Sequence, residues 1–289
     1  MKKFFSFVKI EHTLFSLPVI YSGMALALRV QQQRGEAQAE FGELLTKGLW
    51  ILVAATGART VGFAINRIID RHIDARNPRT ALRDLPTGRM SLKEGYAVLL
   101  VGVGVYLTAA AALNPLCLLI SPIPLAVFAI YPWMKRFTSL AHLGIGLSSA
   151  LGPLGSYLAI RPSLAGSLPA ILLSVFTLLW VSGFDIIYST ADEAFDKREG
   201  LFSLPARLGI PKALLVSGSM HVAAFTALAG LFFYEFRGSM LALVLLIVCG
   251  MLLYLEQRRA SDVEMAFFKI NAVLGFVVFG FVLIGVHFG

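Results

Sequence analysis

This sequence predicts an all-α polytopic membrane protein, nine transmembrane helices bundled around a central cavity, and three observations carry that prediction. The chain is 57% hydrophobic with a mean hydropathy of +0.76, against roughly 45–50% apolar residues in soluble domains. Its apolar residues fall into nine runs of about 20 residues, the length an α-helix needs to cross the hydrocarbon. Its basic residues gather in alternate connections between those runs, as they do when one set of loops faces the cytoplasm.

The runs are 13–30, 48–69, 95–113, 116–134, 139–160, 168–188, 213–233, 239–255 and 266–287. Pro and Gly interrupt several of them, which helices inside a bundle tolerate. The basic start, "MKKFFSFVKIEHTLFSLPVIYSG", shows no small-residue cleavage pattern after a short apolar core, so the first run is expected to stay as a span. The connection 31–47, "QQQRGEAQAEFGELLTK", mixes both charge signs and reads as a solvated loop. "LNPL" at 113–116 reads as a bare turn. No Ser/Gly tract divides the chain, so residues 1–289 read as one domain. Cys117 and Cys249 lie in separate runs and read as small buried hydrophobes, not as a disulfide or metal pair.

The net charge of +8 is distributed by topology. With the N-terminus inside, segments 1–12, 70–94, 135–138, 189–212 and 256–265 face the cytoplasm and carry seventeen Lys and Arg. The opposite side holds Arg29, Arg34, Lys47, Arg161 and Arg237. That asymmetry fixes orientation. It makes acidic lipid headgroups, not nucleic acid, the partner of the basic excess.

Two acidic stretches break the apolar pattern. In "AINRIIDRHIDARNPRT", residues 64–80, Asn66, Asp70 and Asp74 stand four apart and so share one helical face. In "GFDIIYSTADEAFDKREGLFSLPARLG", residues 183–209, the steps from Asp185 through Tyr188 or Ser189 to Asp192 and Asp196 again mark a single face. Each stretch sits where a run meets a cytoplasmic loop, and each loop goes on to basic residues and a Leu-Pro, Leu85-Pro86 and Leu204-Pro205. Asp192 and Asp196 repeat Asp70 and Asp74 at a distance of four helices, an echo of a duplicated unit.

Carboxylates at the edge of lipid cost a few kcal/mol each, so they face a cavity and pair with something. Several on one side of a bundle repel each other unless a cation neutralises them. Hard oxygen donors without a His or Cys set favour Mg²⁺ over zinc. Arg67, Arg71, Arg76, Arg79 and Arg83 follow the first stretch, Lys135 and Arg136 close another run, and Lys197, Arg198 and Arg207 follow the second. Arginine forks suit phosphate oxygens. The combination points to a diphosphate held through Mg²⁺ and flanked by Arg and Lys. A prenyl diphosphate explains the membrane: a charged head at the interface and an apolar tail among helices. Phe63, Phe128, Tyr131, Trp133, Tyr157, Trp180, Phe184 and Tyr188 are candidates to line that tail or face an allylic cation. A transporter is the rival class. Its binding groups belong near mid-span, whereas these acids gather at one interface. A non-enzymatic lipid scaffold gives no reason for the repeated carboxylate spacing.

The pair "NRIIDRHID" and "DIIYSTADEAFD" resembles the two signature motifs of the UbiA superfamily of intramembrane prenyltransferases, and the resemblance covers essentially the whole chain. "NRIIDRHIDARNPRT" with "LPTGRMS", and "DKREGLFSLPARLG", are similar to the 4-hydroxybenzoate polyprenyltransferase branch. The opening "KIEHTLFSLP" is similar to a prokaryotic subgroup, some of whose members are assigned to menaquinone synthesis through futalosine with a dihydroxynaphthoate acceptor. The resemblance implies transfer of a polyprenyl group from polyprenyl diphosphate to an aromatic acid, 4-hydroxybenzoate or alternatively 1,4-dihydroxy-6-naphthoate. The setting it implies is ubiquinone or menaquinone biosynthesis in a prokaryotic inner membrane. It implies that Asp70, Asp74, Asp192 and Asp196 hold Mg²⁺, that Asn66, Arg67, Arg79 and Lys135 meet the diphosphate, and that Asp185 and Tyr188 stand near the breaking bond. It implies that Arg59, with Lys9 and His12, meets the acceptor. Arg67 is a departure: many members carry Asp there, so a possible metal ligand is replaced by a phosphate donor. The implied chemistry is an electrophilic aromatic substitution in which the metal and the basic set stabilise the departing diphosphate.

Overall fold

The computed structural model describes residues 13–37, 39–263 and 265–289; Lys9 and His12 lie outside the described residues. Among the described residues every regular element is helical. The helices are α1 (Thr13–Gln33), α2 (Phe41–Arg76), α3 (Leu92–Leu113), α4 (Pro115–Ile120), α5 (Pro122–Met134) and α6 (Ala141–Ile160). They continue with α7 (Leu168–Ser189), α8 (Glu193–Glu199), α9 (Leu204–Leu208), α10 (Ile210–Leu231), α11 (Met240–Arg258) and α12 (Asn271–Phe288). Eight helical stretches among the described residues are long and apolar enough to cross a membrane, with α4 and α5 forming one and α7 running on into α8. α1, the remaining expected span, has 21 residues, about 31 Å at 1.5 Å per residue. Leu100, Leu119, Leu215, Val222 and Phe233 stay exposed on the outside of the bundle. This is the surface of an integral membrane protein, whose lipid-facing positions need no covering chain.

Two expected boundaries move. The 31–47 connection is shorter than its polarity suggests, because α1 runs to Gln33 and α2 begins at Phe41. Lys47 and Glu43 pair at 2.8 Å one turn apart in that extension, a spacing that supports a solvated helix. The run 116–134 is broken at Ser121, with Pro115 and Pro122 each opening a new helix, the position where a missing N–H costs nothing. Asn114 caps the first of these by accepting the Cys117 N–H at 2.9 Å, and its own amide donates to the Leu158 carbonyl of α6 at 3.0 Å.

The apolar core joins α1, α6, α7, α10, α11 and α12 through Leu26, Tyr157, Phe176, Leu228, Leu246 and Phe281. A polar relay crosses it, as buried polar groups favour. Trp180 Nε1 donates to Asn271 Oδ1 at 2.7 Å, and Asn271 Nδ2 donates to Glu256 Oε1 at 3.0 Å. Cys117 and Cys249 are both buried and free. α6 and α7 run antiparallel and touch at Gly146, where an added Cβ would collide with the Leu178 carbonyl and the Ser182 hydroxyl. Such small residues let transmembrane helices approach backbone to backbone.

Candidate active site

The first acidic face sits on the last three turns of α2. Asp70 is 1% exposed. Its carboxylate receives Lys135 Nζ at 2.5 Å, Arg136 Nη2 at 3.1 Å and the Asn66 amide at 3.3 Å. One turn on, Asp74 receives Arg83 Nη1 on both oxygens, at 2.9 and 2.8 Å. Helix ends leave carbonyls without intrahelical partners, and this one is finished by side chains. Arg136 Nη2 donates to the Ile69 carbonyl at 3.1 Å and Thr80 Oγ1 to the Asp74 carbonyl at 3.1 Å. The 77–91 connection is therefore folded back onto the site: Thr80 N–H donates to the Asn77 carbonyl at 2.9 Å and Thr87 N–H to the Arg83 carbonyl at 3.1 Å.

The second face comes from the end of α7, the 3-10 turn Thr190–Asp192 and α8. Asp192 takes Arg79 Nε at 2.9 Å and the Asn77 amide at 2.9 Å on Oδ1, and Arg79 Nη2 on Oδ2. The two motifs thus touch directly. Arg79 also lies over the Tyr188 ring at 4.3 Å. Burial works against the Arg79 charge, but hydrogen bonds to Asp192 and Tyr188 outweigh it and hold the guanidinium protonated beyond its ordinary range. α8 ends at Gly200, whose φ of +68° turns the chain so that the Leu201 N–H reaches the Asp196 carbonyl at 2.8 Å.

Between the two faces lies a cavity of about 170 Å³. Asn66, Asp70, Asp74, Arg79, Lys135, Asp185, Tyr188, Asp192 and Asp196 all line it. Two expected residues do not. Arg67 is 6% exposed and does not itself form the wall, but it lies within electrostatic reach of Asp74, Arg83 and Tyr188, which do. Arg59 lies seven residues before Asn66, about 10 Å further along α2, with its guanidinium 4.8 Å from the Phe63 ring. The structure adds Asn77, Arg83, His142 and Ser203 to the lining. Asn77 continues the 66–70–74 face by three more residues, a signal the spacing contains. His142 is an ionisable residue in the first turn of a span on the acidic side, which is itself a functional signal.

The donor set suits Mg²⁺. Apart from His142, whose two nitrogens are engaged by Asp185 and Leu204, it consists of carboxylates and amide oxygens, without thiolates. Among the described residues no three His, Cys, Asp or Glu side chains are close enough together to cage an ion. Zinc would need such a cage. Mg²⁺ keeps waters and takes one or two carboxylates plus phosphate oxygens, which is what two separated acid pairs around one cavity can offer.

The UbiA prenyltransferase family model matches residues 16–273. The chain belongs to the UbiA prenyltransferase family. Among solved structures, the apo UbiA homologue from Aeropyrum pernix is 35% identical, with a TM-score of 0.83 over 95% of this chain and 98% of that one. A UbiA homologue from Archaeoglobus fulgidus, bound to GPP and Mg²⁺, shares the fold at 18% identity, with a TM-score of 0.70 over 98% of both chains. The 4-hydroxybenzoate octaprenyltransferase of Vibrio atlanticus is 29% identical over 225 residues, 76% of this chain and 78% of the relative. That of an Enterobacter species is 28% identical over 241 residues, 80% of this chain and 78% of the relative. A UbiA-family prenyltransferase is an enzyme, so the transporter reading falls.

Proposed function

We propose that this UbiA-family prenyltransferase moves a polyprenyl group from polyprenyl diphosphate to the ring of 4-hydroxybenzoate, with Mg²⁺, in membrane quinone biosynthesis. One observation carries the reading: the two acidic faces close on a single cavity, and each of Asp70, Asp74 and Asp192 bears a basic partner suited to phosphate. The names of the curated relatives favour 4-hydroxybenzoate over 1,4-dihydroxy-6-naphthoate.

Asp70 and Asp74 on one side, with Asp192 and Asp196 on the other, would hold the metal. Bound there, Mg²⁺ supplies positive charge that stabilises the departing diphosphate. Arg79 and Lys135 exchange their carboxylates for phosphate oxygens, which present the same geometry to a guanidinium fork, and Asn66 donates alongside them. Arg67, buried and within electrostatic reach of Asp74 and Tyr188, adds its charge behind this set. The allylic C–O bond breaks with its electron pair leaving on the diphosphate, the ring carbon beside the phenolic hydroxyl forms the new C–C bond, and the proton on that carbon passes to a base, a wall carboxylate or the released diphosphate. Asp185 and Tyr188 stand on the cavity wall at that point, with the aromatic face of Tyr188 available to positive charge. Arg59 meets the acceptor carboxylate from deeper in α2, and Lys9 and His12, outside the described residues, are assigned to the acceptor with it. Water would hydrolyse an allylic cation, and the folded 77–91 connection and the 200–204 segment exclude it. Positive-inside asymmetry supports an orientation with the N-terminus and this site facing the cytoplasm, and a prokaryotic inner membrane is the setting that goes with this reading.

The test is purified protein with Mg²⁺, a set of polyprenyl diphosphates and the two acids, with products resolved by mass. Prenylated 4-hydroxybenzoate that disappears with chelator and returns with Mg²⁺ is the expected result. Product only from the naphthoate reassigns the acceptor, and product from neither acid removes the reading.

A further inference from the structure

His142 is the second residue of α6, 5% exposed, and among the described residues it is the one imidazole that lines the cavity. Both of its nitrogens are engaged. Nε2 lies 3.3 Å from the backbone N of Leu204. That N–H opens α9 and has no intrahelical partner, so it donates and Nε2 must be the bare nitrogen. The proton is then on Nδ1, which points at Asp185 Oδ2 at 2.7 Å. The tautomer is set by the hydrogen bond on the other side of the ring. The approach depends on Gly146, one turn along α6, whose missing side chain lets α6 lie against Leu178 and Ser182 of α7. Those two positions precede Asp185 by two turns and one turn on the same side of α7.

The Leu204 bond matters because of what it fastens. The chain from Leu201 to Leu204 is pinned at three places: Leu201 N–H on the Asp196 carbonyl at 2.8 Å, Phe202 N–H on the Lys135 carbonyl at 2.8 Å, and Leu204 N–H on His142. The first two are backbone bonds. The third is made by a side chain, and the Ser203 hydroxyl adds a hydrogen bond to the Asp196 carboxylate. Leu201 and Ser203 form cavity wall, beside Asp196 and Lys135.

We propose that His142 is a positioning residue that joins the two halves of the site, its Nδ1–H orienting the Asp185 carboxylate and its Nε2 holding the 201–204 segment against the diphosphate half. The role rests on the prenyl-transfer reading above. Asp185 keeps 16% of its side chain exposed, so with one oxygen held by the imidazole the carboxylate has a fixed orientation in the wall. The other buried histidine among the described residues, His221, serves a different neighbourhood: its Nδ1 faces Gln257 at 3.0 Å, outside the cavity lining.

Amide substitutions separate the two functions. His142→Asn places an N–H where Nδ1 is and gives up the Leu204 bond; His142→Gln places an acceptor where Nε2 is and gives up Asp185. Loss of one hydrogen bond to a charged partner is worth about 10-fold or more. The expected result is a split: in His142→Gln kcat falls about 10-fold with KM for polyprenyl diphosphate near wild type. In His142→Asn that KM rises several-fold while kcat is largely kept, and His142→Ala shows both losses. Equal behaviour of the Asn and Gln variants, or wild-type kinetics in both, overturns the proposal. A second readout needs no turnover: ¹⁵N spectra of histidine-labelled protein should show His142 as the Nδ1–H tautomer in wild type. An Nε2–H tautomer would overturn the proposal even if prenyl transfer is confirmed. Nδ1–H in a protein that transfers no prenyl group would instead sink the functional reading and leave the geometry standing.

Discussion

Replacing Arg79 by Lys and by Ala measures how much of the diphosphate grip comes from a fork and how much from charge alone. Arg79 gives Asp192 two hydrogen bonds, from Nε and Nη2, and a departing diphosphate presents an equivalent pair of oxygens. Bonds from a charged donor are worth about 1.5–3 kcal/mol each when buried. The two side chains are 32% and 14% exposed, so solvent screening removes about half of that. Loss of the cation–π contact with Tyr188 adds about 0.5–1 kcal/mol. Arg79→Ala should therefore cost about 3 kcal/mol, which is about 100-fold in kcat/KM. Arg79→Lys keeps the charge and one bond and should cost about 10-fold. The assay is single-turnover prenyl transfer with saturating Mg²⁺ and acceptor, on protein whose melting temperature is recorded alongside. A Lys variant as poor as the Ala variant, or an Ala variant within about threefold of wild type, would show that the fork does not carry the grip.

Asp70→Asn should lower transfer about 100-fold or more and also lower the melting temperature, because Lys135 and Arg136 would face a neutral amide at a 1% exposed site; wild-type turnover in this variant sinks the metal assignment. Arg59→Ala should raise KM for the aromatic acid about 10-fold or more and leave KM for polyprenyl diphosphate alone, and an unchanged acceptor KM removes Arg59 from that role. Asn271→Leu strands Trp180 Nε1 and Glu256 Oε1, so unfolding in detergent should become easier by about 2–4 kcal/mol. Activity per folded molecule should hold.

The spans were legible because apolar length is a one-dimensional signal: Leu92–Leu113 and Leu168–Ser189 differ from the expected runs by three residues or fewer at either end. The extension of α2 back to Phe41 was not, since Phe-Gly-Glu-Leu-Leu-Thr-Lys is polar enough to be a loop and is made helical by position and a Glu43–Lys47 pair. The acidic faces of the site were readable from the four-residue step, which survives in the structure as one wall carrying Asn66, Asp70 and Asp74. The way the walls meet was not readable. It depends on Asn77 and Arg79 crossing from one motif to Asp192 of the other, a contact between segments more than a hundred residues apart. His142 escaped for a related reason: a single histidine carries no periodicity, and only the approach at Gly146 shows what it touches. Arg67 stands two helical turns before Asp74 and so shares its side of α2, where it is buried within electrostatic reach of Asp74, Asp84 and Tyr188.

The central claim, that both acidic faces hold one diphosphate, is tested most directly by a structure of the protein with a non-hydrolysable prenyl thiolodiphosphate and Mn²⁺ in place of Mg²⁺. The account predicts anomalous metal peaks between the diphosphate and both pairs, Asp70 with Asp74 and Asp192 with Asp196, with Arg79 and Lys135 moved onto phosphate oxygens. A diphosphate bound by one pair alone, or metal peaks away from this cavity, would contradict it.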